Sequence, residues 1–136
     1  MPGDPPVFPE IDIPRVIDTS NTDIIDEFYI PLLSRSVEYK RGVGYFTSNW
    51  AKSAARGLAQ LAENGGTAKW LTSPQLSEED WQAIVEGSQA KRDERLRKAL
   101  RRSINDLRHD LEQDTREAIA WMIADGLLEI KLAIPQ

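Results

Sequence analysis

The sequence predicts two strands, at 37–47 and 67–73, and small hydroxyl and amide side chains lie at their carboxyl ends or directly after them. Ligands of parallel α/β sheets bind beyond the carboxyl ends of the strands, where a helix N-terminus also supplies N–H donors. The sequence therefore predicts a phosphate-binding rim there. The same residue types also cap helices and form turns, and that alternative stays open. The rim residues are Thr47, Ser48, Asn49, Thr72 and Ser73.

A second candidate site is the basic stretch 91–102, which holds seven basic residues and two acidic ones. This stretch has a net charge of +5 and the rest of the chain has −10, which together give the net charge of −5. That negative total argues against a nucleic-acid binder that is basic throughout. The i, i+3, i+7 spacing of Arg95, Lys98 and Arg102 predicts one helical face that contacts DNA phosphates without reading base sequence. The alternative is a solvated face on which acidic neighbours such as Asp93 form i,i+4 pairs.

Other common chemistries lack their residues. The chain has no cysteine and one histidine, which excludes disulfides, a cysteine nucleophile and a zinc site built on several histidines. His109 lies on the polar side of a helical pattern, where we expect it to be solvated. Gly42 and Gly44 lack the third glycine of a dinucleotide-binding loop, since Thr47 stands at that position. We therefore expect no catalytic residue, no metal ligand and no cofactor in this chain.

The periodicity of apolar residues predicts an α/β fold with a partial sheet of parallel strands, flanking helices and a long helical hairpin. All four tryptophans occupy apolar positions, and core packing is expected for each. We also expect Leu128 and Ile130 in a central strand. The predicted elements are strands at 37–47, 67–73 and 127–134, a helix at 49–64 and the hairpin at 77–124, within which the helical pattern runs unbroken from about 89 to 124.

The N-terminal residues 1–14 hold five of the eight prolines, which predicts an extended arm, because proline neither continues a helix nor pairs in a central strand. Residues 15–136 form the predicted domain. Ser20 or Thr22 is expected to cap its first helix, which Pro31 should interrupt or restart because proline lacks a backbone donor.

The order of these segments resembles the start of the phospholipase D-like nuclease domain, in the version found at the N-terminus of bacterial superfamily 2 helicases and of DNA-restriction or phage-defence proteins. The resemblance covers roughly residues 15 to 135 and rests on pattern and order. The segments that carry it are 17–20, 26–33, 41–50, 64–66, 68–74 and 120–135.

In that family, a later strand carries a His-x-Lys motif whose histidine attacks the phosphorus and whose lysine binds the phosphate oxygens. This chain has no such motif, since His109 is followed by Asp110 and Leu111. The resemblance implies the fold and a nucleic-acid context but no catalytic residue. Residues 15–136 are then expected to be the N-terminal portion of the domain, ending before the motif and inactive alone.

The expected function is therefore that of a non-catalytic N-terminal half of a phospholipase D-like nuclease module in a DNA-processing helicase or defence protein. The alternative is a stand-alone protein-interaction module that uses its acidic surface and the 77–124 hairpin. Expected partners are DNA, bound weakly, and either the remainder of a longer polypeptide, another protein or a second copy. A cytoplasmic location is expected, because no apolar stretch approaches the roughly 20 residues of a membrane helix and no secretory pattern begins the chain.

Overall fold

The computed structural model describes residues 23–44 and 46–133; the predicted arm at 1–14, the predicted caps Ser20 and Thr22 and the end of the third predicted strand lie outside them. The mixed α/β class is confirmed. In chain order the elements are a π-helical turn Ile25–Tyr29, α1 Ile30–Ser34, β1 Glu38–Val43, α2 Ser48–Ser53, α3 Ala55–Glu63, β2 Thr67–Thr72, α4 Glu78–Arg92, α5 Glu94–Leu100, a 3₁₀ turn Ile104–Asp106, α6 Leu107–Gln113, α7 Thr115–Ala124 and β3 Leu128–Leu132.

The three strands form one parallel sheet in the order β1, β2, β3. They lie where the β-branched and aromatic runs predict them, although β1 ends at Val43 rather than at 47. Among the described residues β2 is the central strand, so the expectation that Leu128 and Ile130 occupy a central strand is wrong. β3 pairs on one side only within that part of the chain, and Ile130 is half-buried.

The helices cover one face of the sheet. On that face Ala68, Trp70 and Leu128 are at most 3% exposed and join a single core cluster with side chains of α2, α3, α4, α6 and α7. The alternate residues of the strands face the other way, and the side chain of Leu71 there is 49% exposed. Parallel sheets are normally covered on both faces, whereas no helix within residues 23–44 and 46–133 covers the second face of this sheet.

The predicted helix at 49–64 is present as two helices, α2 and α3. They meet at Ala54, which is fully buried and has φ −94° and ψ 14°, outside the helical region. Gly65 then follows α3 with φ 77°, and Gly126 follows α7 with φ 78°. Both glycines therefore end a helix in the left-handed conformation, as their positions in the sequence predict.

The segment 77–124 is helical, but the unbroken helix expected from about 89 to 124 is wrong. The carboxylate of Asp93 accepts hydrogen bonds from the backbone N–H groups of Arg95 and Leu96, which begins a new helix there. The side chain of Ser103 caps the 3₁₀ turn in the same way. Four helices and a 3₁₀ turn therefore occupy the segment predicted as a hairpin. In the structure, α4 packs against α7.

Gly87 brings α4 and α7 into close contact. A Cβ atom added at Gly87 would lie 2.6 Å from the carbonyl oxygen of Ala120 and 2.8 Å from the Cβ of Ile123. These distances are shorter than any tolerated by real side chains, so the two helices approach as closely as a glycine allows.

Pro31 restarts the first helix, which is the second of the two predicted outcomes: α1 begins at Ile30 with Pro31 in its first turn. The π-helical turn runs directly into α1, and the N–H of Ile30 donates to the carbonyl of Ile25, five residues back. Pro31 stands at the start of α1, where its missing N–H has no α-helical partner to lose. No helix in the described residues has both the length and the apolarity to cross a membrane.

Candidate functional site

Arg41 lies at the centre of an aromatic cluster on the helix-covered side of β1. Its guanidinium carbon is 4.4 Å from the ring centre of Trp50 and 5.0 Å from that of Tyr29, so two cation–π contacts hold it. The Trp50 ring meets those of Tyr29 and Trp70 edge to face, with centroids 5.5 Å apart in each case. The alternation of β1 and the position of Trp50 on α2 together create this arrangement.

Most N–H donors of the Arg41 guanidinium have no partner within residues 23–44 and 46–133. Its one hydrogen bond within the described residues is a long one, 3.5 Å from Nη1 to the hydroxyl of Tyr39. No carboxylate in that part of the chain pairs with it. Burial raises the pKa of the Tyr39 hydroxyl, and the charge of Arg41 lowers it by less, so Tyr39 stays protonated at neutral pH.

A cavity of about 150 Å³ adjoins this arginine at the carboxyl end of β1. Thr47 is its hydroxyl residue, and Trp70 contributes an indole whose buried Nε1 has no hydrogen-bond partner among the described residues. The cavity therefore combines one cation with polar donors and aromatic walls. The lining residues are Arg41, Val43, Phe46, Thr47, Trp50 and Trp70.

A second polar cluster surrounds Asp80 at the start of α4. Its buried carboxylate accepts hydrogen bonds from the backbone N–H of Ser48 at 3.1 Å and from Nε of Arg116 at 3.0 Å. Burial by itself would raise the pKa of this carboxyl, but the hydrogen bonds from Ser48 and Arg116 hold the pKa below its usual value. The ionised Asp80 thus ties the first turns of α2, α4 and α7 together.

The predicted phosphate rim is divided by the structure. Thr47 and Asn49 are exposed, whereas Ser48 is buried and its N–H already donates to the Asp80 carboxylate, which occupies the position that a phosphate would take at α2. Thr72 is 1% exposed, and its hydroxyl has no partner within the described residues. The hydroxyl of Ser73 accepts a hydrogen bond from the N–H of Gln75. Of the rim residues, only Thr47 lines the cavity beside Arg41.

The predicted DNA-contacting face is also divided. Arg95 and Lys98 lie exposed on α5, and Lys98 pairs with Glu94 at 3.6 Å. The single-face prediction is wrong for Arg102, because α5 ends at Leu100 and the Arg102 guanidinium pairs instead with Asp110 and Glu117. Its half-buried charge is therefore neutralised by the protein itself.

Of the i,i+4 ion pairs expected along residues 91–102, only that between Glu94 and Lys98 is present. The carboxylate of Asp93 caps α5 through backbone N–H groups and forms no ion pair with Arg97. His109 is exposed on α6, as the helical pattern predicts. No cluster of three or more metal-ligating side chains occurs in residues 23–44 and 46–133.

The uncovered sheet face forms a third candidate surface, which we call the open face. In register, Lys40 lies beside Lys69, and Lys69 beside Glu129. A shallow depression of about 390 Å³ lies on this face, above Gly42 and Leu71. The open face comprises Glu38, Lys40, Gly42, Thr67, Lys69, Leu71, Glu129 and Lys131.

Sequence reasoning missed Arg41 and Asp80 as central residues. The alternation of Tyr39, Lys40 and Arg41 on a predicted strand is the signal that places Arg41 with an aromatic residue on one face. Comparison of the chain with protein-family models, with curated proteins and with solved structures found no match. The functional argument therefore rests on the residues and their geometry.

Proposed function

We propose that this chain is a non-catalytic module of a DNA-processing or phage-defence protein, equivalent to the N-terminal part of the phospholipase D-like nuclease domain that it resembles. The parallel order of β1, β2 and β3 with helical crossovers is compatible with that domain. The absence of a His-x-Lys sequence supports a role without phosphodiester cleavage. DNA would be held through phosphate contacts.

A basic surface at the end of α4 and along α5 carries this proposal. Five of its side chains are exposed and one, Arg97, is half-buried. Of these six side chains, only Lys98 makes an ion pair within the described residues, so the other five are available to contact phosphates. The opposing effect is the net charge of −5, which repels DNA and makes binding weak. The basic surface comprises Lys91, Arg92, Arg95, Arg97, Lys98 and Arg101.

Charge reversal on the basic surface tests DNA binding. The double variant Arg95→Glu and Lys98→Glu should bind a fluorescent DNA duplex much more weakly than the parent at low salt. Each lost phosphate contact should reduce the log–log salt slope by about 0.9. Fluorescence anisotropy over a series of salt concentrations measures both the affinity and the slope.

A matched control is Lys52→Glu with Arg56→Glu, the same charge change at exposed positions on α2 and α3. An equal loss of affinity in both double variants would show that net charge alone governs binding and would contradict a specific basic surface. Cleavage of the duplex by pure protein would contradict the non-catalytic assignment.

The open face favours a second function, the docking of a protein partner. Leu71 on the central strand is the most exposed large apolar side chain of the described residues, and the adjacent Gly42 leaves the depression beside it. Lys40 and Lys69 lie side by side; Lys40 pairs with Glu38 at 3.2 Å, whereas Lys69 makes no ion pair within the described residues. The chemistry of this face suits a helix with an apolar stripe flanked by carboxylates.

Two synthetic amphipathic peptides test this docking function. Both have a leucine stripe, which is flanked by glutamates in one peptide and by lysines in the other. The glutamate peptide should bind about tenfold more tightly at low salt, and Leu71→Asp should abolish its binding. Ile104→Asp, at an exposed apolar position on the 3₁₀ turn and outside the open face, is the matched control. Isothermal calorimetry measures the affinities; equal affinity of the two peptides, or unchanged binding by Leu71→Asp, would contradict docking on the open face.

A further inference from the structure

The Arg41 side chain is held in place without being neutralised. The rings of Trp50 and Tyr29 hold its guanidinium at 4.4 and 5.0 Å, while no carboxylate of the described residues pairs with it. A guanidinium offers five N–H donors in a fixed plane, and its one protein partner here is the Tyr39 hydroxyl. A half-buried arginine whose donors remain free is a common element of oxyanion recognition.

One further donor residue, Thr47, lines the adjoining cavity. Thr47 precedes α2 as its N-cap residue, yet its side chain makes no capping hydrogen bond, so its exposed hydroxyl is available. Trp70 also contributes to the cavity wall, and its indole Nε1, which solvent does not reach, has no hydrogen-bond partner among the described residues. A buried donor without an acceptor is unfavourable, and such groups in native proteins are usually satisfied.

We propose that this cavity binds a phosphate group, with the Arg41 guanidinium and the Thr47 hydroxyl as its main contacts. The guanidinium of Arg41 and the hydroxyl of Thr47 together offer several donors, which match a tetrahedral anion with three or more free oxygens. The position agrees with the general rule that ligands of parallel α/β sheets bind beyond the carboxyl ends of strands. The volume of about 150 Å³ suits a phosphate group rather than a whole nucleotide.

This site is separate from the basic surface on α5 and does not depend on the proposed DNA binding. The phosphate can come from free inorganic phosphate or from the 5′ end of a nucleic-acid strand, which has the same chemistry. No bond is made or broken in the proposal. A strand end should bind more tightly than inorganic phosphate only if its first base also contacts the aromatic rings of the cavity wall.

Tryptophan fluorescence provides the test, because Trp50 and Trp70 form part of the cavity wall. The full chain is titrated with inorganic phosphate at constant ionic strength, and then with a thymidine dinucleotide with and without a 5′ phosphate. We expect saturable binding in the millimolar range, and Arg41→Gln should weaken it about tenfold. Tighter binding of the phosphorylated dinucleotide than of inorganic phosphate would identify a strand end as the source, and equal binding a free phosphate.

Arg56→Gln removes an exposed arginine on α3 and is the matched control, which should bind phosphate like the parent. Thr47→Val leaves the ring contacts of Arg41 intact and should weaken binding about threefold, so it decides the matter if Arg41→Gln fails to fold. Absence of saturable binding by the parent, or parental affinity in the folded Arg41 or Thr47 variant, would overturn the site. Charge reversal at Arg95 and Lys98 should leave phosphate binding unchanged, which separates this result from that of the DNA experiment.

Discussion

Replacing Asp80 by alanine should lower the free energy of unfolding by about 3 kcal/mol, out of a total of about 5–15 kcal/mol for a domain of this size. The change removes the acceptor for the first N–H of α2 and leaves the Arg116 guanidinium without its buried partner. Loss of a helix cap costs about 1 kcal/mol, and loss of a hydrogen bond to a charged group costs about 1.5–3 kcal/mol. Urea denaturation at neutral pH measures the difference.

The variant Asp80→Asn adds a pH dependence to this result. Because the pKa of Asp80 in the folded protein lies below its unfolded value of about 3.9, ionised Asp80 stabilises the fold above that value. The stabilisation disappears as the pH falls through the folded pKa. We therefore expect the difference in unfolding free energy between the parent and Asp80→Asn to be largest at neutral pH and to shrink below about pH 4.

Asp106→Asn is the control, because Asp106 is exposed and its side chain makes no capping hydrogen bond. It should have parental stability at neutral pH. If the difference in unfolding free energy between the parent and Asp80→Asn stays constant down to pH 2, the carboxylate does not tie the three helices together. Parental stability of Asp80→Ala would lead to the same conclusion.

Gly87→Ala should destabilise the protein even though alanine is the better helix former. The gain in helix propensity is about 1 kcal/mol. The opposing effect is a steric clash, because the added methyl group would lie 2.6 Å from the Ala120 carbonyl oxygen. This oxygen belongs to the backbone and moves less easily than a flexible side chain. Overpacking costs about 1–3 kcal/mol, and the short contact with backbone places this site near 3 kcal/mol; after the propensity gain is subtracted, the net loss should be about 2 kcal/mol.

The matched substitution is Gly42→Ala, because a Cβ atom there meets nothing within 4 Å. That variant should melt at or slightly above the parental temperature, since alanine restricts the unfolded chain more than glycine does. Thermal denaturation followed by circular dichroism measures both variants. A Gly87→Ala protein that is more stable than the parent would contradict the close approach of α4 and α7.

The strands and the ends of helices could be predicted from the sequence because their signals are local. The β-branched and aromatic residues of β1 and the glycines after α3 and α7 each act within a few residues. The break at Asp93 was missed because an aspartate four residues before Arg97 is equally compatible with an ion pair on a continuous helix. Only the backbone conformation there decides between pairing and capping.

The sites depend on contacts between residues far apart in the chain, which single-sequence patterns do not show. Asp80 meets Ser48 and Arg116, residues more than thirty positions away on either side. The expected burial of Trp81 is wrong, since its side chain is 39% exposed, whereas Trp70 and Trp121 are buried as predicted. An apolar residue in the first turn of a helix need not face the core, and periodicity alone does not show which way it points.

The charges on the two outer strands have a consequence for aggregation. Each of these strands carries a glutamate and a lysine two residues apart, Glu38 with Lys40 at 3.2 Å and Glu129 with Lys131 at 3.6 Å. Charged side chains on edge strands discourage a further strand from adding to the sheet by backbone pairing. Within the described residues, β1 and β3 therefore resist pairing with a further strand, although the open face between them stays exposed.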